Sequence, residues 1–138
     1  MAVSFVADTD VLIDFLRGRG DEAERIEFEL KTGRLCTTAV SAFELWVGAR
    51  SSQEKTAVQT LLAALSIIPL DAAGASDAGE LFRALEAKGT TIGMADSLIA
   101  GICVNRNAVL ITRNKKHFSR VPNLNYSGQY RAKNQDNE

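Results

Sequence analysis

Few cysteines, a single histidine and the lack of any long apolar run set the first limits on this chain of 138 residues. Cys36 and Cys103 stand alone, with no CxxC or Cys/His spacing, which argues against a zinc site or a disulfide and for buried thiols. The longest apolar stretch, Leu61 to Leu70, is too short to span a bilayer and is broken by Ser66 and Pro69. The opening MAVSFVADTD lacks a basic segment and meets an acid too early for a secretory signal, so a cytoplasmic protein with no membrane partner is expected. No repeat or linker interrupts the chain. At this length one domain with one core is expected over residues 1–131, followed by a polar tail, 132–138, expected to fray. A hydrophobic content of 46% with 24% charged residues fits a folded globular domain and not a disordered one.

Acid is missing from one long stretch. Between Ser97 and Gln135 lie Arg106, Arg113, Lys115, Lys116, Arg120, Arg131 and Lys133 with no Asp or Glu, although the net charge is -1. The acids therefore crowd into the earlier part of the chain. A basic face beside an acidic pocket, as a nucleic-acid enzyme would use, is one reading; a solvated basic surface is the other.

Apolar patterning alternates between two kinds of element. Val3 to Ala7 is rich in strand formers and gives way at Asp8-Thr9-Asp10 to a helix-compatible pattern, Val11 to Leu16, that stops at Gly18. Ile26 and Leu30 mark a second helix over Asp21 to Lys31, and Leu35 to Thr38 is a brief strand. A capping-box pattern then opens a helix at Ser41-Ala42-Phe43-Glu44. Val58, Leu61, Leu62 and Leu65 form a helical face, Ile67 to Leu70 a strand, and Ala78, Leu81, Phe82 and Leu85 another face before Gly89. Ala95, Leu98, Ile99, Ile102 and Cys103 make one more stripe, followed by the strand-like run Ala108 to Thr112. Strands alternating with helices predict an α/β domain whose mainly parallel sheet carries helices on both faces.

In such sheets ligands bind beyond the carboxyl ends of the strands. Four carboxylates are expected there: Asp8 and Asp10 after the first strand, Glu44 after the second, and Asp96 at the start of the helix before the Ala108 strand. Each has a local explanation. Asp10 suits a helix cap, Glu44 the return half of a capping box, Asp96 a favourable first-turn position, and Asp8 a turn. Together they are harder to explain locally, because clustered carboxylates repel unless a cation lies among them, and an all-oxygen set suits Mg²⁺ or Mn²⁺ better than zinc.

The strand-DTDVLIDFL opening, the SAFELWVG segment, the GMADSLIAGI helix start and the VLITRNKKHFSRVPNL close resemble, in that order and over nearly the whole chain, the PIN domain of VapC-type toxins. That resemblance implies a Rossmann-like three-layer fold and a metal-dependent endoribonuclease, the toxin of a toxin–antitoxin pair, leaving 3′-hydroxyl and 5′-phosphate ends. It implies Asp8, Glu44 and Asp96 as catalytic metal ligands for Mg²⁺ or Mn²⁺, with Thr9 and Thr112 as polar neighbours and Asp10 in support. The fourth acid of many PIN nucleases falls at Asn114, a neutral departure that weakens the case for a second tightly held metal. Implied partners are an RNA substrate, a cognate antitoxin that docks near Trp46, and a second copy of the chain.

Arg113, Lys115 and Lys116 are expected to hold the phosphate backbone without reading sequence. His117 stays outside the catalytic set, since a basic loop offers it solvent or phosphate. Phe43, Trp46 and Val47 around Glu44 are either core or partner-facing. Two other functions remain open. Asp8-Thr9-Asp10-Val11 also fits the nucleophile motif of haloacid-dehalogenase-like phosphatases, although no second acidic pair follows Asp96 before Asp136. A catalytically weak PIN-like binding module is the other.

Overall fold

Five short parallel strands form one sheet in the order β3-β2-β1-β4-β5, which is the architecture the alternating pattern predicts. The computed structural model describes residues 4–127, so the expected tail at 132–138 lies outside the described residues, as do Arg131 and Lys133. In chain order the elements are β1 (Phe5–Ala7), α1 (Thr9–Leu16), α2 (Ala23–Lys31), β2 (Leu35–Thr38), α3 (Ala39–Gly48) and α4 (Ser52–Ala63). There follow β3 (Ser66–Ile68), α5 (Ala72–Ala87), α6 (Met94–Arg106), β4 (Val109–Ile111), α7 (Lys115–Phe118) and β5 (Asn125–Tyr126). The last helix and the last strand carry no apolar run of their own and were not anticipated.

β1 and β4 are apolar at every position because both faces of the sheet are covered. Phe5, Ala7, Val109 and Ile111 point into a core shared with Val11 and Leu12 of α1, Ile26 of α2, Leu45 of α3 and Leu61 of α4. Val6 and Leu110 point the other way, onto Leu85 of α5, Ile99, Ile102 and Cys103 of α6, and Phe118 of α7. Two cores thus sandwich one sheet. Complete burial of a side chain such as Phe118 contributes about 2–3 kcal/mol, so α7, although only four residues long, is firmly anchored.

Two expected caps fall elsewhere. α1 begins at Thr9, directly after the strand, so its N-cap is Asp8, whose side chain accepts from Thr9 N, and Asp10 lies in the first turn. α3 begins at Ala39, two residues before the expected start, and Thr38 caps it by accepting from Ser41 N at 3.0 Å. Glu44 therefore closes no capping box. A reciprocal box forms instead at Ser51 and Glu54, which open α4.

α5 and α6 make the closest approach between helices. A Cβ on Gly101 would sit 2.6 Å from the backbone and Cβ of Ala78, so only glycine permits this contact. Gly101→Ala should therefore cost about 1–3 kcal/mol through overpacking. Gly79→Ala on α5, where a Cβ meets open space, should gain about 0.5–1 kcal/mol of helix propensity. Denaturant midpoints at unchanged m-value measure both, and equal effects at the two sites would refute the close-contact account.

Candidate active site

Strand order reverses at β1, whose neighbours β2 and β4 come from opposite directions along the chain, and such a switch point opens a crevice at the carboxyl ends. Ala7 and Ile111 are in register there, so the residues that follow them, Asp8 and Thr112, meet although 104 positions apart. Asp8 N donates to Ile111 O at 2.9 Å, which ties the residue to β4 before α1 begins. Its carboxylate is only 4% exposed and accepts from Thr112 Oγ1 at 2.9 Å and from Thr9 N at 2.8 Å. Thr112 Oγ1 also accepts from Asn114 N at 2.9 Å, and its backbone pairs with Ser127 Oγ in both directions.

Glu44 arrives from the other side of Asp8. Thr9 Oγ1 lies 2.7 Å from Glu44 Oε1 and 2.9 Å from Ser41 Oγ. A hydroxyl has one proton and a carboxylate only accepts, so Thr9 donates to Glu44 while Ser41 can donate to Thr9. Asp96 stands in the first turn of α6, half-buried, and completes the cluster.

Asp8 and Asp96 feel the charges gathered around them. Burial, with the charges of Asp96 and Asp10, pushes the Asp8 carboxyl up from 3.8 to about 7, against the pull of its hydrogen bonds from Thr112 and Thr9. Burial likewise raises Asp96, helped by the charges of Glu44 and Asp10 and opposed by His117. The donor set around Asp8, Asp10, Glu44 and Asp96 is all oxygen. Among the described residues, no three His, Cys, Asp or Glu side chains stand close enough together to grip a cation jointly.

His117 is nearer this cluster than its place in a basic loop suggested: Nδ1 lies 3.8 Å from Asp96 Oδ2 and 3.0 Å from the side-chain nitrogen of Asn114. Helix α7 brings it there, and no apolar pattern announces so short a helix. Of the three cations expected at RNA, Arg113 pairs with Asp14 and approaches Asp10, Lys115 approaches Glu22, and Lys116 is exposed.

Comparison with known proteins places this geometry. A family model for the PIN domain matches residues 5–124. The chain belongs to the PIN-domain family. Among curated relatives, a protein named tRNA(fMet)-specific endonuclease VapC from Salmonella typhimurium is 29% identical over 88% of this chain and 95% of its own. A Ribonuclease VapC2 from Rickettsia felis is 32% identical over 87% of this chain and 93% of its own. The crystal structure of VapBC2 from Rickettsia felis bound to a promoter DNA fragment contains a chain that superposes with a TM-score of 0.82, at 29% identity, covering 91% of this chain and 98% of that one. The phosphatase reading of Asp8 is not supported by these matches.

This PIN domain also carries a largely apolar groove of about 190 Å³ between α1, α3 and α4, lined by Ile13, Leu16, Leu45, Ala49 and Val58 together with the charged Arg17, Glu44 and Glu54. Phe43, Trp46 and Val47 are 67%, 44% and 61% exposed, so they are not core. The buried face of α3 is made by Ser41, Ala42 and Leu45.

The raised Asp8 carboxyl fixes a pH response of the metal-free fold. The native group holds its proton to about pH 7 while the unfolded group releases it near 3.8, so its stabilising contribution is full below about pH 4 and is lost as pH rises through 7. The upper limit of that loss is about 4 kcal/mol. Unfolding in chelator should therefore show stability falling between about pH 4 and 7 and levelling above that, with a shallower fall in Asp8→Asn. An Asp8→Asn protein with the parent slope would refute it.

Proposed function

We propose that this PIN domain is a divalent-cation-dependent endoribonuclease and the toxin of a two-component pair, acting in the cytoplasm. The observation that carries the reading is the buried Asp8 carboxylate at the sheet's switch point, coupled to Asp96 and Asp10 on a scaffold shared with proteins named as ribonucleases. The all-oxygen donors suit Mg²⁺ or Mn²⁺. Mg²⁺ keeps several of its waters and takes one or two carboxylates directly, so Asp8, Asp96 and Glu44 fit it as a mixture of direct and water-separated partners. When bound, the cation supplies the Lewis acidity for in-line hydrolysis of a phosphodiester and offsets charge on the phosphoryl oxygens.

The chain's own residues do the rest. Thr112 and the Thr9 amide hold both oxygens of Asp8 in one orientation. Thr9 holds Glu44, so that one residue serves two carboxylates, through its backbone and its hydroxyl. The exposure of Lys116 on α7 supports a contact with the RNA backbone. Asn114, where many PIN nucleases have an acid, donates its side-chain amide toward His117 and leaves the cluster without a further negative charge.

Partners follow from the surface. The apolar groove, which reaches Glu44, suits a segment of an antitoxin, and the exposed Phe43, Trp46 and Val47 suit that partner or a second copy of the chain. Relatives have been solved as VapBC complexes on DNA, which supports the two-component reading.

Asp8→Asn and Asp96→Asn should each lower Mg²⁺-dependent cleavage of RNA by about 100-fold or more with the fold retained, and relieve growth arrest on expression. Cleavage that survives either change would overturn the site. The parent chain should sediment as a dimer at micromolar concentration and Val47→Asp should shift it toward monomer; a monomeric parent would refute the second-copy contact.

A further inference from the structure

Asp14 is an acid in an unfavourable place. It lies in the last turn of α1, where the helix dipole disfavours negative charge, and it is only 7% exposed. It is separate from the carboxylate cluster, and the sequence reading assigned it nothing. Two arginines compensate it: Arg19 Nε lies 3.7 Å from Oδ1, and Arg113 Nη1, from 99 residues away, donates to both carboxylate oxygens at the shorter distances of 3.1 and 3.2 Å. The loop after α1 closes over the pair. Arg19 N donates to Asp14 O at 2.9 Å, and Gly20, at φ +102°, passes so close that a Cβ there would lie 2.9 Å from that of Asp14.

The other end of the same guanidinium faces the site. Arg113 Nη2 is 3.8 Å from Asp10 Oδ2, and Arg113 follows directly on Thr112, whose hydroxyl holds Asp8. Arg113 therefore bridges a buried anchor and the edge of the acidic cluster. It also forms, with Asp14, part of the wall of a cavity of about 250 Å³. Its side chain is 56% exposed, and beside the 3.8 Å approach to Asp10 the two-oxygen grip of Asp14 is its closer tie. A cation fixed in advance where an anionic phosphodiester must approach a carboxylate cluster needs no reorganisation during the reaction.

We propose that Asp14 is a positioning residue of this nuclease site, which acts by holding Arg113 beside Asp10 for the incoming phosphate. The assignment rests on the ribonuclease reading above. It differs from a stability role in one measurable respect: Asp14 matters through Arg113 and not through the fold.

The test is single-turnover cleavage of an end-labelled tRNA pool by the full chain with Mg²⁺, well below the melting temperature of every variant. Asp14→Asn and Arg113→Ala should each lower the maximal cleavage rate by about tenfold, with half-saturation moved less than about threefold. The double variant should be no slower than Arg113→Ala alone. Asp14→Glu, which keeps a carboxylate, should recover most of the rate. Should Asp14→Asn not fold, Arg113→Lys takes its place: it keeps the charge but cannot grip two oxygens and still reach Asp10, and should stay slow.

Effects that multiply in the double variant overturn the assignment, as does a rate within twofold of the parent in Asp14→Asn or, in its place, in Arg113→Lys. A parent chain that cleaves no RNA overturns the ribonuclease reading and the assignment with it. An active parent whose variants act independently overturns the assignment alone.

Discussion

The position of Asp8 between two strands is the constraint on which the site depends. Its amide extends the pairing of β1 with β4, its side chain caps α1, and its carboxylate is held by a threonine from the opposite end of the chain. A carboxylate so enclosed cannot relax toward water when other acids gather around it. Its proton affinity rises instead, which stores electrostatic tension that a cation or a proton relieves. The cap that any aspartate could provide thus becomes chemical potential because of where the strand ends.

Much of this was legible from residue order because it rests on short-range patterning. Strand and helix alternation identified the parallel sheet, and the rule that ligands sit beyond strand ends singled out Asp8, Asp10, Glu44 and Asp96, of which the resemblance to PIN domains implies Asp8, Glu44 and Asp96 as the core. Placement within a turn was less legible. Ser41 and Glu44 carry the spacing of a capping box, yet Thr38 takes the cap because the helix starts as soon as β2 ends, freeing Ser41 for Thr9. Nothing near Asp14 in the sequence reveals the arginine that reaches it from 99 residues later. His117 is expected in a basic loop facing solvent or phosphate, but the one-turn α7, anchored by the buried Phe118, brings it to 3.8 Å from Asp96 instead.

Charge along the sequence was a partial guide to charge in space. The acid-free stretch does lie beside an acidic pocket, but folding brings Arg113 to Asp14 and Lys115 to Glu22, both acids from the first part of the chain. Cations that looked available for a polyanion are in part internal ties. The basic character of the segment therefore serves in part to hold α1 and the loop after it to the segment after β4.

The two separate cores give the site an unusual dependence on completeness. Glu44 belongs to a helix packed on one face of the sheet, Asp96 to a helix packed on the other, and Asp8 to the seam between them. Neither half of the protein owns the cluster. Separation of either layer from the sheet would carry one of the acids away from Asp8. The acids are gathered only where the sheet is covered on both faces, so assembly of the site and completion of the fold are one event.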